Sequence, residues 1–332
     1  MSETAERIST TLETIFQRSY ATEAPDLRRL YENAKRDQWN AARDIDWSQD
    51  VDLDRGIFAN ELVDGHGTDT LNRLDPRRFA QLNVEFSCWR ISQLLHGEEG
   101  AMLACGQLVD MVPSNDAKFF QATQVIDEAR HTEVLSRYLN EKCGGKIYPL
   151  TKNVRTLFDY ILGHGKWFVK TVGLQLIAET FAVALFRMLS ETALDPLLRS
   201  ICKRILADES RHMGFSVLSL PDAIRSLSPS DRKELEEFTR EALQLVLTGQ
   251  FPREAYEAVG MNANEIEEIK RARREIARGG MTADAAYFRK LFRREMHQTI
   301  VTNMQKVGLL NDRTAGFLRE IGIDPNLSVQ TA

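Results

Sequence analysis

The sequence of 332 residues is poor in the residues that interrupt helices and form tight turns between strands. It contains 19 glycines and 9 prolines. No runs of alternating apolar and polar residues are joined by an Asn-Gly or Asp-Gly turn, which is the pattern typical of strand pairs. These absences argue against a sheet, and the sequence therefore predicts an all-α protein.

Cysteine is equally scarce. The chain has four cysteines, which lie far apart and form no Cys-x-x-Cys pair. This distribution argues against a zinc knuckle and against a disulfide framework. We expect reduced thiols at all four positions: Cys88, Cys105, Cys143 and Cys202.

Neither sign of charge dominates. The chain has 43 Lys plus Arg against 48 Asp plus Glu, which gives a formal net charge of -5. No uniform basic field is available to hold a phosphate backbone, so nucleic acid is disfavoured as the main ligand. With 43% hydrophobic and 27% charged residues, the composition is typical of a folded globular protein.

Long hydrophobic runs without charge are also missing. The first seven residues carry charge where a secretory signal would be apolar, which favours a cytoplasmic location. The most apolar run, residues 171–189, contains Gln175, Glu179 and Arg187 and is too polar for the core of a bilayer. We expect no membrane span there, but a buried helix with a carboxylate at its centre.

The sequence does contain long helical patterns separated by prolines. They predict four helices at about residues 79–112, 114–142, 154–194 and 196–218, with a break in the third near residues 163–165. The prolines that separate them are Pro113, Pro149, Pro196 and Pro221. We predict one compact domain with three parts: an N-terminal helical extension (1–75), a four-helix bundle (76–222) and C-terminal helices packed on the bundle (223–332).

A five-residue motif occurs twice and carries the chemistry. Residues 127–131, Asp-Glu-Ala-Arg-His, recur at 208–212 as Asp-Glu-Ser-Arg-His. The chance of such an arrangement at any one histidine is on the order of one in a few thousand. Residues three apart share a face of a helix, so each Glu-x-x-His can offer an oxygen and a nitrogen to a metal. The predicted ligands are Glu128, His131, Glu209 and His212.

The other two helices should each add a carboxylate, because bridging carboxylates balance the charge of two metal ions. Glu179 lies on the apolar face of the third helix, where an uncoordinated carboxylate would be costly. On the first helix, Glu98 shares its stripe with Ile91 and Leu94, whereas Glu99 lies nearer the edge. We choose Glu98 and keep Glu99 as the alternative.

The repeated aspartates and arginines should lie behind the metal ligands. A ligating imidazole usually donates its second N–H to a carboxylate. We predict that Asp127 and Asp208 orient the two histidines across the helix pair, and that Arg130 and Arg211 neutralise these aspartates.

At these residues the chain resembles the ferritin-like non-haem di-iron carboxylate oxygenases. It is most similar to the catalytic subunit of bacterial multicomponent monooxygenases, in which the first Glu follows a Gly, as at Gly97-Glu98, and the fourth helix reads as at residues 208–212. It is more distantly similar to p-aminobenzoate N-oxygenase-type enzymes. The likeness covers about residues 90–220 and implies a ferritin-like four-helix bundle with additional N- and C-terminal helices.

Three departures narrow what the resemblance implies. A threonine that the monooxygenases have one turn after the third Glu is Val183 here, so their proton-delivery arrangement is not implied. N-oxygenases have an additional histidine ligand one turn before the last Glu, where this chain has Ile205, which favours six ligands over seven. The radical tyrosine of ribonucleotide reductase small subunits is Leu135 here, which disfavours radical storage.

The resemblance implies an oxygenase that uses two Fe ions, or a Mn/Fe pair, and O2 to hydroxylate or N-oxygenate a small organic substrate. The alternatives are an iron-handling ferritin-like protein with ferroxidase activity and a relative of the radical-type reductase small subunit. The extra helices outside the bundle favour the oxygenase. The sequence holds no dinucleotide fingerprint and no cysteine cluster for an iron–sulfur centre. We therefore expect an external electron donor, a reductase or ferredoxin, and homodimerisation is compatible with this.

Overall fold

The computed structural model describes residues 8–18, 20–248, 250–277 and 283–326. The described residues form helices and connecting segments without any strand, which confirms the all-α prediction. The helices are α1 (Pro25–Arg36), α2 (Asp69–Asn72), α3 (Pro76–Met111), α4 (Asn115–Lys142), α5 (Lys152–Gly163), α6 (Trp167–Thr171), α7 (Glu179–Thr192), α8 (Pro196–Ser226), α9 (Pro229–Leu247), α10 (Arg253–Ala258), α11 (Ala263–Ala277), α12 (Ala283–Lys306) and α13 (Asp312–Glu320).

The bundle is built from α3, α4, α8 and the helical stretch that ends with α7, with α3 packed on α4 and α7 on α8. Local capping defines where three of these helices begin. The side chains of Asp75, Ser114 and Asp195 accept backbone N–H groups in the first turns of α3, α4 and α8. Pro76 and Pro196 stand at the first helical positions, where a missing N–H does no harm.

The third bundle helix is interrupted as the sequence predicts, and then changes its winding. α5 ends at Gly163 and a new helical stretch begins at Trp167. A π-helical segment, Val172–Ala178, leads directly into α7 and Glu179. A Cβ at Gly173 would come within 2.7 Å of Phe238, so only glycine allows this close packing. π-helical insertions occur often at functional sites.

The expected end of the fourth helix before Pro221 is wrong. α8 continues through this proline to Ser226. Proline in a helix interior costs about 3 kcal/mol, but Leu220 and Ile224 on either side of it are fully buried. Each such burial contributes about 1.5–3 kcal/mol, which offsets the local penalty. The boundary at residue 222 between the bundle and the C-terminal helices stays a prediction, although α8 extends across it.

The stretch Trp167–Thr192 is long and apolar enough to cross a membrane by length and composition alone. It is the one such helix among the described residues, and 72% of its most apolar window is buried inside the protein. The buried core helix of a bundle meets the same criteria of length and composition. The apolar character of this stretch is therefore consistent with its position in the core.

Buried apolar side chains form two clusters, and the repeated motifs lie between them. On α4, Phe120 belongs to one cluster and Leu135 to the other. On α8, Phe215 and Ile205 belong to the same two clusters in turn. The charged motif residues are therefore enclosed on both sides by hydrocarbon.

A fully buried lysine joins α5, α6 and α3. The Nζ of Lys170 donates to the carbonyls of Ile161 at 2.7 Å and Leu162 at 2.9 Å, and to Oε1 of Gln107 at 2.6 Å. Those carbonyls lie in the last turn of α5, where no further helical N–H follows. Burial lowers the pKa of Lys170 to about 8.

Replacing this lysine should destabilise the fold. Lys170→Met keeps the length of the side chain but leaves two buried carbonyls and the partly buried Oε1 of Gln107 unpaired, and we expect the free energy of unfolding to fall by about 2 kcal/mol in urea denaturation. Lys166→Met is the matched control. Its Nζ pairs with Asp231 and Glu234, but the side chain is 36% exposed, so the loss should stay below about 1 kcal/mol. Equal losses in the two variants would contradict this role of Lys170.

Candidate metal centre

Four bundle helices bring four glutamates into one buried volume. Glu98 comes from α3, Glu128 from α4, Glu179 from the first position of α7 and Glu209 from α8. Each is at most 5% exposed. His131 and His212, which are fully buried, stand one turn after Glu128 and Glu209 on the same helix faces. The structure thus brings together all six residues that the sequence singles out.

These six side chains form two groups that share two carboxylates. One group contains Glu98 and His131, the other contains Glu179 and His212, and Glu128 and Glu209 belong to both. Within each group the candidate ligand atoms lie within 4.8 Å of one another. The shared carboxylates are therefore those of the repeated motif. We had expected the bridging carboxylates on the other two helices instead.

Three carboxylate oxygens surround Nδ1 of His131. The distances are 3.2 Å to Oε2 of Glu128, 3.2 Å to Oε1 of Glu209 and 3.3 Å to Oε2 of Glu98. One ring nitrogen has only one hydrogen or one lone pair to offer, so it cannot satisfy three carboxylates. A cation among these four atoms would satisfy all of them.

The second imidazole repeats this arrangement. Nδ1 of His212 lies 2.9 Å from Oε2 of Glu209, 3.2 Å from Oε1 of Glu128 and 3.7 Å from Oε1 of Glu179. Glu128 and Glu209 each turn one oxygen toward each imidazole. Their carboxylates are placed to bridge two ions.

The cluster holds more carboxylates than its own cations can neutralise. Burial and the neighbouring carboxylates raise the pKa of Glu98 and of Glu179 well above the usual range. Burial acts to lower the pKa of His212, but Glu128 and Glu209 outweigh it and raise that pKa to about 10. Among the described residues, no donor is in hydrogen-bond geometry with the buried Oε1 of Glu209. Two divalent cations fit this donor set, because they would balance the four carboxylates.

The two alternatives for the first glutamate differ in burial. Glu98 is 5% exposed and belongs to the first group, whereas Glu99 lies on the exposed outer face of α3. The seventh ligand position of the N-oxygenases is occupied by Ile205, whose buried hydrocarbon side chain offers no donor atom. The structure thus places six donor residues together.

The two aspartates lie behind the imidazoles, and each contacts the histidine of the opposite helix. Oδ2 of Asp208 on α8 lies 3.1 Å from Nε2 of His131 on α4. Oδ2 of Asp127 on α4 lies 3.2 Å from Nε2 of His212 on α8. This exchange leaves Nδ1 of each ring facing the glutamates.

Both arginines lie against both aspartates. Arg130 forms a charged hydrogen bond with Asp127 and lies 3.4 Å from Asp208. Arg211 forms one with Asp208 and lies 3.6 Å from Asp127. Although burial acts to raise it, the pKa of Asp208 is held below its usual range by His131 and Arg211.

The segment that follows α1 adds two contacts that sequence reasoning missed. Nε1 of Trp39 donates to Oδ2 of Asp208 at 2.8 Å, and Nε2 of Gln38 donates to Oδ1 of Asp127 at 3.1 Å. Arg130 stacks over the Trp39 ring at 5.1 Å. This segment has no helical periodicity, so its sequence gives no indication of the contacts.

A buried glutamine on α4 was also missed. Nε2 of Gln124 donates to Oε1 of Glu128 and to Oε1 of Glu179, both at 3.0 Å. Its own Oε1 accepts from Nε2 of Gln175 at 3.0 Å. Gln124 and Gln175 each stand four residues before one of these glutamates, and this spacing could have identified them.

A cavity of about 150 Å³ reaches the cluster from one side. Its inner end is bordered by Glu98 and Glu179, and its lining extends to the exposed Thr248. The side chains between these ends are largely apolar: Leu94, Leu157, Phe158, Leu174, Phe181 and Leu185. The two carboxylates that are not shared between the groups are therefore those that a molecule in the cavity would meet.

Comparisons with known proteins bear on this site. The family model described as p-aminobenzoate N-oxygenase AurF matches residues 21–296. One similar solved structure is an R2-like ligand-binding oxidase with an aerobically reconstituted metal cofactor after photoconversion. It is 16% identical to this chain, the match covers 89% of this chain and 100% of the oxidase chain, and the TM-score is 0.53. An R2-like ligand-binding oxidase with a Mn/Fe cofactor (long soak) is 16% identical, with coverages of 88% and 98% and a TM-score of 0.51. No curated protein matches significantly. At these identities the two structures support the ferritin-like fold alone.

Weakening an aspartate behind an imidazole should weaken metal binding. In Asp208→Asn the amide is a poorer acceptor for His131, and we expect Mn(II) affinity to fall about 10- to 100-fold, as measured by anaerobic titration with electron paramagnetic resonance. Asp116→Asn is the control, since Asp116 is equally buried but accepts from Arg28 and backbone N–H groups. It should leave the affinity unchanged. A normal affinity in Asp208→Asn would show that the aspartate does not orient the ligand.

Proposed function

Since the chain belongs to the p-aminobenzoate N-oxygenase AurF family, we propose that this oxygenase uses two metal ions and O2 to oxidise a small aromatic substrate, with an amine nitrogen as the favoured target. The observation that carries the proposal is the pair of donor groups sharing Glu128 and Glu209 beside an apolar cavity. The family supports the reaction class, and the cavity supports the substrate class.

Six residues would hold the ions: Glu98, Glu128, His131, Glu179, Glu209 and His212. A donor set rich in carboxylates with only two nitrogens favours iron or manganese over zinc. Two iron ions are our first choice, and a Mn/Fe pair fits the same donors. When bound, the ions supply the redox chemistry that reduces O2.

The residues around the donors fix how the imidazoles bind. Asp127 and Asp208 hold the Nε2 side of His212 and His131, so that Nδ1 of each ring is directed to the ions. The Trp39 indole further anchors Asp208. These contacts set the ring orientations before any metal arrives.

The cavity favours a substrate with one apolar ring. An apolar cavity of about 150 Å³ is large enough for benzene, and this one has the same size. Phe158 and Phe181 provide flat apolar surfaces for the ring. The inner end of the cavity would bring the reacting atom next to Glu98 and Glu179, away from bulk water.

The two alternative functions are not favoured. The acidic residues among the described cavity-lining residues are Glu98 and Glu179 themselves, so the walls offer Fe(II) no row of carboxylates toward the cluster. The position of the radical tyrosine is the fully buried Leu135, which cannot store a radical.

We also propose that an external electron donor, a reductase or ferredoxin, serves this centre. Converting an amine to a hydroxylamine consumes O2, two electrons and two protons, and releases one water. The sequence contains no nucleotide fingerprint or iron–sulfur cysteines that would supply those electrons. The cytoplasmic location likewise stays a prediction.

The proposal predicts a single turnover. Protein loaded with Fe(II) and exposed to O2 with p-aminobenzoate or a related arylamine should form about one product per pair of ions and then stop until a donor is added. Product analysis by mass spectrometry with labelled O2 should find the label in the product. Loaded protein that oxidises no arylamine, or that mineralises many irons per chain, would contradict the proposal.

Filling the cavity should alter substrate selection without damaging the fold. A Cβ at Gly97, which lines the cavity on α3, would meet nothing within 4 Å. We expect Gly97→Leu to lower kcat/KM for ring substrates at least about tenfold, because the added side chain occupies their space. Gly106→Leu is the control: this exposed α3 position also has no atom within 4 Å and lies off the cavity. Equal effects in both variants would exclude this cavity as the substrate site.

A further inference from the structure

The two halves of the metal centre are not held alike. The Nε2 of Gln124 has two hydrogens, and each has an acceptor at 3.0 Å: Oε1 of Glu128 and Oε1 of Glu179. These two oxygens face Nδ1 of His212, at 3.2 and 3.7 Å. One amide therefore fixes two donor atoms of the same group.

The orientation of this amide is itself fixed. Oε1 of Gln124 accepts from Nε2 of Gln175 at 3.0 Å, and Gln175 also donates to Oε1 of Gln121 at 3.2 Å. All three glutamines are fully buried. Rotating the Gln124 amide by half a turn would place its oxygen against two carboxylates, which is unfavourable. The amide therefore has one stable orientation.

In the opposite half, no side-chain amide among the described residues holds Glu98 in this way. Within the described part of the chain, Nδ1 of His131 is the hydrogen-bond partner of Glu98, at 3.3 Å from its Oε2. A metal ion bound at Nδ1 would remove it. Glu98 also borders the cavity, which leaves room on one side of its carboxylate.

We propose that Gln124 is a positioning residue that makes the two metal positions unequal, so that the position with Glu179 and His212 fills first. A donor that is already held in place loses less conformational freedom when an ion binds, which raises affinity. This inference rests on the proposed function only in requiring that the cluster binds two metal ions.

The first test measures where one ion goes. Wild-type protein is given one equivalent of Mn(II) without O2, crystallised, and examined by anomalous scattering at the manganese edge. We expect most of the manganese beside Glu179 and His212. Equal occupancy, or a preference for Glu98 and His131, would overturn the inference while leaving the two-metal centre intact. Protein that binds no ion would overturn both.

The second test removes the amide. Anaerobic Mn(II) titration of the wild type, followed by electron paramagnetic resonance of the free ion, should show two binding steps. Gln124→Leu should weaken the first step by about 10- to 100-fold, the range typical of losing a partner behind a ligand, and bring the two steps together.

Gln121→Leu provides the matched control. Gln121 lies one turn earlier on α4 and belongs to the same buried row, but makes no hydrogen bond to a glutamate. Its replacement should change stability without moving either binding step, because Gln124 keeps its hydrogen bonds to Glu128 and Glu179. Two unchanged steps in Gln124→Leu, or an equal shift in Gln121→Leu, would show that Gln124 does not set the order of filling.

Discussion

The core of the helical bundle encloses four carboxylates, and the surrounding structure must compensate for their negative charge. Burying an ionised carboxylate without partners is unfavourable by on the order of several kcal/mol per ion. Two imidazoles and a glutamine amide contact the glutamates, while two arginines and an indole N–H contact the aspartates behind the imidazoles. The combined positive charge of these groups is still too small, because two aspartates also lie among them. Two metal ions would supply the missing positive charge.

The fold keeps the supporting contacts and the cavity on different sides of the cluster. Asp127 and Asp208 contact the Nε2 side of the imidazoles, together with the Gln38-Trp39 segment. The cavity meets Glu98 and Glu179, which are not shared by the two groups. Substrate can therefore approach the centre without disturbing the contacts that orient the histidines.

Much of this arrangement can be predicted because it is encoded locally. The Glu-x-x-His spacing places oxygen and nitrogen on one face of a helix, and the caps and prolines mark where α3, α4 and α8 begin. The continuation of α8 through Pro221 could not be read in this way, because the burial that outweighs the proline depends on tertiary packing.

Contacts between distant segments could not be predicted from the sequence either. Trp39 reaches Asp208 across 169 residues, and no local pattern connects them. Which carboxylates are shared between the two groups depends on how α4 and α8 lie beside each other, not on either motif alone. The π-helical segment before Glu179 contains Gly173, which packs closely against Phe238 and Ile161 from distant parts of the sequence.

The most direct test of a two-metal centre is the metal content of the protein. Protein loaded with Fe(II) in the absence of O2 and freed of unbound metal should contain about two irons per chain by elemental analysis. Replacing both His131 and His212 should abolish this content. Wild-type protein with no bound iron, or a double variant that still retains one, would contradict the assignment of these residues to a metal centre.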